Sequence, residues 1–323
     1  MKIPSPLWAA IGLIVALLVP LVLSDYNLRV MVLAVQVAIA VIGLCIAFGW
    51  AGLIQLGQAA FVGVGAYTSA ILAVRLGMSF WLSMPLAMAM SALIALVIAV
   101  PMLRLRGHYL ALATVGLNVT AEIVAKNWVP VTGGNDGISG IPGISLFGHE
   151  VQGDAGYYYL SLGFLVLVAL FATVLRRSRY GRAMIAVRDD EIACGTSSVP
   201  VVGTKVLAFV LASALAGLSG ALYAHYAHYV APADFDLARS VIILVMLIAG
   251  GEMSIAGSII GAVLISFAPE WLRFVGDAYM AVFGVCVLLV LVFMPEGIAG
   301  RLRKLGKRRQ AAAPESKKVA EHA

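Results

Sequence analysis

The chain has 323 residues, of which 62% are hydrophobic and only 12% are charged. Soluble domains average about 45–50% apolar and about 25% charged residues, so this composition excludes an ordinary soluble protein and indicates a membrane protein. The net charge of +6 is not taken as a sign of nucleic-acid binding, because that interpretation requires a chain that remains in water.

Hydrophobic stretches along the chain predict membrane-crossing helices, since a helix needs about 20 mainly apolar residues to cross a bilayer. We expect an all-α, polytopic membrane protein with about ten spans, or eight if neighbouring stretches merge. The first stretch is interpreted as an uncleaved helix rather than a signal peptide. The two short stretches near 240–268 are either one broken helix or two helices joined by a turn. The stretches lie at 7–23, 30–48, 53–74, 80–103, 108–125, 157–175, 205–229, 240–251, 256–268 and 277–294.

The positions of lysine and arginine set the expected orientation, because cytoplasmic loops carry an excess of positive charge. With ten spans and a cytoplasmic N-terminus, the C-terminus is also cytoplasmic and most of the 22 basic residues face the cytoplasm. Residues 1–300 then form the membrane domain, and residues 301–323 are expected to be a basic, disordered cytoplasmic tail. The basic residues expected outside are Arg29, Arg75, Lys126, Arg239 and Arg273.

A glycine- and proline-rich insert, NWVPVTGGNDGISGIPG at 127–143, separates the fifth and sixth stretches. On the expected topology it lies on the outer side, where its NDG sequence favours tight turns. A connector of about thirty residues is long for a tight bundle, so we interpret 126–156 as a compact outer cap. A plain solvated connector is the alternative. Tyr157, Tyr158 and Tyr159 are interpreted as an interfacial aromatic belt.

The loop at 176–204 combines several arginines with three acidic residues at 189–191. The apolar residues of GRAMIAV at 181–187 have helix-like spacing, and Gly181 allows a turn before them. We therefore predict one short amphipathic helix on the inner membrane surface, on which a soluble partner can act. In the alternative interpretation, the arginines serve only as topology anchors.

The other polar residues of the hydrophobic stretches form no metal or catalytic constellation, and no cofactor is expected. Glu122 and Lys126 are four residues apart and are expected to pair near the outer end of their span. His225 and His228 are interpreted as interfacial anchors, since no Cys, Asp or Glu completes a ligand set beside them. The cysteines form no CxxC pair and are interpreted as buried filler: Cys45, Cys194 and Cys286.

Four segments resemble the LivM-type permease subunits of bacterial branched-chain amino-acid ABC importers, over roughly residues 43–300. They are GLIQLGQAAFVGVGAYTSAIL from Gly52, GHYLALATVGLNVTAEIVAKNWVPVTGGNDGISGIP at 107–142, YGRAMIAVRDDEIA at 180–193 and LAFVLASALAGLSGALYAHYAHYVAPADF at 207–235. The chain departs from the family pattern in CGTSSVP at 194–200, and Glu252 in GEMSIAG at 251–257 is an unusual charge there.

The resemblance implies a non-enzymatic permease of the bacterial inner membrane that moves leucine, isoleucine or valine inward by alternating access. It implies a second related permease, two cytoplasmic ATPase subunits and a periplasmic binding protein as partners. The family's outer-loop signature falls on Thr132, Gly133, Gly134, Asp136, Gly137, Ser139, Gly140, Ile141 and Pro142. Its ATPase-coupling loop falls on Gly181, Arg182, Arg188, Asp189, Asp190, Glu191 and Ile192. Candidate pathway residues are Gln55, Gln58, Tyr67 and Thr68, with ordinary hydrogen bonding between helices as the alternative.

Other functions stay open at this point. The chain resembles permeases whose relatives carry urea or other small amides. An ion-gradient secondary transporter would show paired acids or broken helices at mid-membrane, and the hydrophobic stretches contain almost no acids. A membrane enzyme would need clustered His or carboxylates at one depth. The sequence contains no GxxxxGK[ST], HExxH or GxSxG motif, so ATP hydrolysis is expected from partner subunits.

Overall fold

The computed structural model of the chain describes residues 6–103, 105, 107–146, 149–197, 199–272 and 284. These residues form a bundle of α-helices with two small antiparallel sheets of two strands each. Apart from residue 284, the last hydrophobic stretch at 277–294 lies outside the described residues, as do Cys286 and the tail at 301–323.

The helices follow the hydrophobic stretches closely, so the predicted all-α class is confirmed. In chain order they are α1 (Pro6–Val22), α2 (Asp25–Leu44), α3 (Gln58–Leu76), α4 (Phe80–Met102), α5 (His108–Asn127), α6 (Val129–Thr132), α7 (Gly153–Arg177), α8 (Arg179–Asp189), α9 (Glu191–Thr196), α10 (Val201–Ala227), α11 (Leu237–Gly250) and α12 (Ile255–Leu272). The short elements are a π-helical turn (Cys45–Trp50), two 3₁₀ turns (Gly134–Asp136 and Pro232–Phe235) and strands β1 (Ile138–Ser139), β2 (Ser145–Leu146), β3 (His149–Glu150) and β4 (Tyr229–Val230).

Seven helical segments in the described part of the chain are long and apolar enough to cross a bilayer. They are α2 with its π-helical turn, α3, α4, α5, α7, α10 and α12. Helices α1 and α11 are also apolar but shorter, with 17 and 14 residues. The chain is therefore a multi-pass membrane protein, whereas the count of ten crossings stays a prediction.

The bundle has two ends, which we name by the segments that lie there. The insert end carries residues 128–146 and 149–152, and the arginine end carries α8 and α9. Arg29 near the start of α2 pairs with Asp154 at the start of α7, at 2.9 Å, on the insert end. At the arginine end, Arg188 of α8 contacts Gly49 in the last turn after α2. Helices α2 and α7 therefore run from the insert end to the arginine end, and α10 runs back.

Close backbone packing holds the centre of the bundle, where α10 crosses α3 and α4. A Cβ atom added to Gly220 of α10 would overlap the carbonyl of Val62 in α3. A Cβ added to Gly65 of α3 would likewise overlap the backbone of Gly217. Small residues let helices approach in this way within lipid, where no hydrophobic effect drives helices together. The glycines of these stretches therefore set the crossing distances.

The two short stretches near 240–268 are two separate helices, as one of the two alternatives predicted. Helix α11 ends at Gly250, and α12 begins at Ile255 after a tight turn. The two helices are in close contact. A Cβ atom added at Gly250 would overlap the carbonyl of Gly257, and a Cβ atom added at Gly261 would overlap the carbonyl of Met246. The pair forms a helical hairpin whose turn lies at the arginine end.

Two predictions about the segments beside the membrane are wrong in part. The amphipathic helix is two helices, α8 and α9, because the side chain of Asp190 caps a new helix start instead of continuing the first. Gly181 lies inside α8 rather than in a turn, where a Cβ would overlap the end of α7. Of the three tyrosines, Tyr157 and Tyr158 are buried in the bundle, and Tyr159 alone is exposed. All three hydroxyls donate to backbone carbonyls of the protein.

Candidate functional site

Helix α3 begins in the middle of the bundle rather than at its arginine end. The sequence predicted a span from residue 53, but residues 51–57 are not helical, and α3 starts at Gln58. The Gln58 amide donates to the carbonyls of Ala40 in α2 (3.0 Å) and Ala212 in α10 (3.2 Å). Ala40 lies fifteen residues beyond the start of α2, or roughly 22 Å along it at 1.5 Å per residue. The start of α3 is therefore near mid-membrane.

A buried group of polar side chains, which we call the polar layer, caps this internal helix start. Asn118 of α5 accepts from the N–H of Ala60, and Ser240 of α11 accepts from the N–H of Ala59, both at 2.9 Å. The Ser240 hydroxyl also donates to Asn118, at 2.9 Å. Thr114 of α5 accepts from the N–H of Leu56 at 3.0 Å. Unpaired backbone groups are costly in a bilayer, and these contacts make the interruption of the helix possible.

Helix α11 also begins at depth, beside the polar layer. The Asp236 side chain caps α11 by accepting from the N–H of Arg239 at 2.8 Å. The Asn118 amide donates to the carbonyl of Phe235, one residue before that cap, at 3.3 Å. The sequence placed Arg239 in an outer loop, but it lies in the first turn of α11 against a cavity that Gln36 of α2 also borders. The first turn of α11 thus lies within the bundle, and the side of the membrane on which Arg239 lies stays a prediction.

The four candidate pathway residues lie in or beside α3. Gln55 and Gln58 are buried, Tyr67 is nearly so, and Thr68 is partly exposed. Gln58 bonds to both α2 and α10, which fits the alternative that this residue serves ordinary hydrogen bonding between helices. The amide of Gln55 and the hydroxyl of Tyr67 have no hydrogen-bond partner among the described residues. A pathway role for these four residues stays a prediction.

The glycine-rich insert folds as a compact cap over the end of α10. Strand β1 of the insert pairs with β4 after α10, with Ile138 opposite Val230. His225 of α10 and His228 directly after it hold the insert. The His225 Nδ1 lies 2.8 Å from the carbonyl of Pro142, and the His228 Nδ1 lies 2.8 Å from the carbonyl of Ile141. The histidines thus bind backbone carbonyls within the protein.

The residues of the outer-loop signature shape the insert. The Thr132 hydroxyl donates to the carbonyl of Ala125 at 2.7 Å. Gly133, Gly134 and Gly137 all have positive φ values, of +78°, +64° and +68°, which a residue with a Cβ rarely adopts. The Asp136 side chain is exposed, while its carbonyl accepts from the Tyr229 hydroxyl at 3.0 Å. Thr132 and these three glycines therefore shape the cap, and the Asp136 carboxylate is left exposed.

At the arginine end, α8 is attached to two different membrane elements through one side chain. Arg188 donates to the carbonyl of Gly49 after α2 and to the carboxylate of Glu252 in the turn between α11 and α12. Met184 and Val187 of α8 are buried beneath it. Glu252, which is an unusual charge at its position in the sequence, is therefore the partner of the last arginine of the predicted coupling loop.

The remaining residues of the predicted coupling loop divide into structural and exposed ones. Asp190 accepts from the N–H groups of Ile192 and Ala193, both at 2.9 Å, and Glu191 pairs with Lys205 of α10 at 2.6 Å. Arg182 donates to the carbonyl of Arg177 at 2.7 Å and is exposed. The Asp189 side chain is exposed, and Ile192 is 80% exposed. The exposed side chains of this segment thus include those of Asp189 and Ile192, at the junction of α8 and α9.

Sequence reasoning missed the polar layer and the depth of the α11 start. One signal was present, because Thr114 and Asn118 are four residues apart and therefore lie on one face of α5. Their partners Ser240 and Phe235 lie far away along the chain, and no local pattern links them to α5. Glu122 and Lys126 do form the predicted ion pair, at 2.6 Å.

An apolar bundle with two helices that begin near mid-membrane around a buried polar layer indicates a membrane transporter. Such interrupted helices were expected of an ion-gradient transporter, so this feature does not by itself separate the two classes of transporter. Residues 26–294 match the family described as "Branched-chain amino acid transport system / permease component". The chain belongs to this family. It is a transport component and not an enzyme, and permeases of ABC importers work in general with ATPase and substrate-binding partners.

Curated relatives agree with this assignment. The chain is 32% identical to the high-affinity branched-chain amino acid transport system permease protein LivM of Escherichia coli (strain K12), over 93% of this chain and 76% of that protein. It is 33% identical to the protein of the same name from Salmonella typhimurium, over 88% and 73%. The ribose import permease protein RbsC of Bacillus subtilis is 24% identical over 46% of this chain and 49% of that protein. No solved structure matches the chain.

Proposed function

We propose that this permease moves leucine, isoleucine or valine inward across a bacterial inner membrane, as one half of a pair with a second, related permease. Two cytoplasmic ATPase subunits drive the pair, and a periplasmic binding protein delivers the substrate. The insert end faces the periplasm and the arginine end faces the cytoplasm, with ten crossings and both termini inside. The substrate class follows from the family and from the names of the relatives in Escherichia coli and Salmonella.

The contact of Arg188 with Gly49 and Glu252 is the observation that carries the coupling part of the proposal. A force on α8 reaches the end of α2 and the α11–α12 hairpin through this one side chain. Packed contacts are stiff, so these elements move with α8 rather than absorb its displacement. Helix α11 in turn supplies Ser240 to the polar layer near mid-membrane. The path from the surface helix to the middle of the bundle is therefore short.

The exposed junction of α8 and α9 provides the docking face for an ATPase. Ile192 is a large apolar side chain with 80% of its surface exposed, and Asp189 is exposed beside it. Basic residues at the same end, such as Arg182, give the face mixed charge. An apolar side chain rimmed by charges fits a protein interface better than a lipid headgroup layer.

Nucleotide can drive the cycle because it binds one arrangement of the complex better than the other, and only this difference shifts the equilibrium. ATP closes the two ATPase subunits and moves α8, and the bundle changes the side to which its pathway opens. Helices α3 and α11 are compatible with this motion, because each begins inside the bundle after a segment that is not α-helical and can change its backbone conformation.

Uptake measurements test the proposal. Proteoliposomes that contain the complete complex and internal ATP are given labelled leucine and the binding protein. We expect vanadate to abolish leucine uptake and an uncoupler to leave it unchanged. We also expect excess isoleucine to reduce leucine uptake and excess urea to have no effect. Uptake that resists vanadate and stops with the uncoupler contradicts the ABC mechanism. Competition by urea without competition by isoleucine contradicts the substrate class.

A further inference from the structure

A cavity of about 370 Å³ lies between α2, α10, the 3₁₀ turn at Pro232–Phe235 and the start of α11. Gln36 of α2 borders it eleven residues beyond the start of that helix, or roughly 16 Å along it at 1.5 Å per residue. The cavity therefore reaches toward the middle of the membrane. Its volume is within the range of about 300–1,000 Å³ that is typical of small-molecule sites.

Three charged side chains border this cavity: Asp234, Asp236 and Arg239. Ionisable groups at such depth are costly and in membrane proteins mark substrate or ion sites. The Asp234 carboxylate accepts from the N–H of Ala231 at 3.0 Å, and the Asp236 carboxylate caps α11. Each carboxylate can accept further hydrogen bonds. The Arg239 guanidinium forms no ion pair with any residue that the structure describes.

Gln36, which borders the cavity, carries a buried acceptor without a donor in the described part of the chain. Its side chain is 2% exposed, and its Nε2 donates to the Ser161 hydroxyl at 3.3 Å and to the Leu222 carbonyl at 3.5 Å. Its Oε1 accepts no hydrogen bond from the described residues. A buried acceptor without a donor is unfavourable, and native proteins contain few of them. This oxygen has almost no accessible surface, so a ligand in the cavity reaches it only when the Gln36 amide turns toward the cavity.

Most of the remaining wall is apolar, with Leu33 and Val37 from α2 and Ile242 from α11, and α10 adds the hydroxyl-bearing residues Ser219 and Tyr223. One cationic group, acidic and amide acceptors and an aliphatic wall thus occur together. A phosphate headgroup fits poorly, because two carboxylates would repel it. A simple cation also fits poorly, because Arg239 borders the same space. A zwitterion with an aliphatic side chain matches all three features.

We propose that this cavity binds an aliphatic α-amino acid in its zwitterionic form. The carboxylates of Asp234 and Asp236 bind the ammonium group, and Arg239 binds the carboxylate, which a guanidinium can hold with two parallel hydrogen bonds. Ile242 and its neighbours contact the aliphatic side chain. The inference rests on the proposed function for its substrate class and adds the place in this chain where the substrate binds.

Ligand analogues test the two charged contacts separately. The complete complex in detergent, without the binding protein, is titrated with leucine, with leucinamide, which lacks the carboxylate charge, and with 4-methylpentanoate, which lacks the ammonium group. We expect leucine to bind roughly tenfold more tightly than either analogue, because a site built for a polar group rejects a ligand without it. Equal binding of all three compounds, or no binding of leucine, overturns the proposal.

Two substitutions should change this discrimination in different directions. Arg239→Gln should remove the preference for leucine over leucinamide and leave the preference over 4-methylpentanoate. Asp236→Asn should remove the preference for leucine over 4-methylpentanoate and leave the preference over leucinamide. The asparagine can still cap α11. Unchanged discrimination in both variants overturns the proposal, since a merely structural role would alter stability and not selectivity among the three ligands.

A matched pair on α11 tests the cavity itself. Ile242→Trp fills the cavity and should abolish leucine binding, whereas Val241→Trp places the same side chain at a neighbouring exposed position and should not. Both proteins are first checked for assembly by size exclusion, and should Ile242→Trp not assemble, Ile242→Phe replaces it. Leucine binding that persists in the filled cavity overturns the proposal.

Leucine uptake by the same complex separates this inference from the proposed function. If the wild-type complex takes up leucine and the cavity variants do so with unchanged selectivity, the cavity proposal fails while the proposed function stands. If the wild-type complex does not transport leucine, the proposed function fails. Binding alone then decides on the cavity: saturable binding of leucine that Ile242→Trp removes supports it, and its absence contradicts it.

Discussion

Arg188 and Glu252 form an ion pair that joins the surface helix α8 to the turn between α11 and α12. Their side chains are 25% and 31% exposed, so the pair is only partly screened by water. The same guanidinium holds the carbonyl of Gly49. A fork of five N–H donors makes such a double contact possible, and lysine could not reproduce it.

Replacing Glu252 should loosen this connection without unfolding the protein. Glu252→Gln keeps the size of the side chain and removes the charge, which should weaken the contact by about 1–2 kcal/mol. We expect more ATP to be hydrolysed for each leucine transported, measured in proteoliposomes. Glu122→Gln breaks the ion pair with Lys126 at the other end and serves as the control. An unchanged ratio in Glu252→Gln would show that α8 is not coupled through this pair.

Ile192 should contribute to ATPase binding. Burying an isoleucine side chain contributes about 1.5–3 kcal/mol, so Ile192→Asp should weaken the association roughly tenfold or more. The affinity is measured between the purified permease pair and ATPase subunits. Val202→Asp, at a 64% exposed position at the start of α10, is the matched control. Equal affinities of the two variants would place the docking face elsewhere.

Asn118 should be the most sensitive residue of the polar layer. Asn118→Ala leaves the N–H of Ala60 and the carbonyl of Phe235 without their partners, at about 1–3 kcal/mol for each buried group. We expect a lower thermal unfolding midpoint in detergent and slower leucine uptake. Asn127→Ala removes an exposed asparagine from the same helix and should have little effect. A wild-type midpoint in Asn118→Ala would mean that the start of α3 does not need this cap.

Gly220 should tolerate no larger residue. In Gly220→Ala the new methyl group would overlap the carbonyl of Val62, and overpacking of this kind costs about 1–3 kcal/mol. Gly163→Ala on α7 meets no atom within 4 Å and should be neutral or slightly stabilising, because alanine favours helices. Thermal unfolding of both variants in detergent is the measurement. Equal midpoints would contradict the close crossing of α3 and α10.

Chemical labelling tests the proposed orientation. Asn135 is exposed in the insert, and Gly195 is exposed on α9. A protein with alanine at the three native cysteine positions receives Asn135→Cys or Gly195→Cys. A membrane-impermeant maleimide should label Asn135→Cys in intact spheroplasts and Gly195→Cys only after lysis. The reverse result would invert the topology and remove the α8–α9 surface from the cytoplasm.

Much of this fold could be predicted from the sequence because it depends on local properties. A segment in lipid must satisfy its backbone groups within itself, so apolar stretches of sufficient length become helices whatever they contact. The pair of Glu122 and Lys126 was predictable for the same reason, because residues four apart are neighbours on any helix. The turns of the insert depend on glycines that can adopt positive φ values.

Contacts between distant segments were not predictable in this way. Asn118 caps α3 across 58 residues of sequence, and Arg188 reaches Glu252 across 64. Tyr158 is buried because its hydroxyl finds the carbonyl of Ala16, which no pattern near residue 158 indicates. Each contact depends on which helices lie side by side, and single-sequence patterns carry no such information.

The sequence by itself determined the class of protein, the helices and the glycine-rich cap, because hydrophobicity and backbone preference act within a few residues. The tertiary structure alone decided that α3 and α11 begin inside the bundle, that Arg239 borders a cavity near mid-membrane and that one arginine joins α8 to two membrane elements. The physical reason is that each of these features depends on which distant segments pack side by side, and the residues that meet there are not neighbours in the sequence.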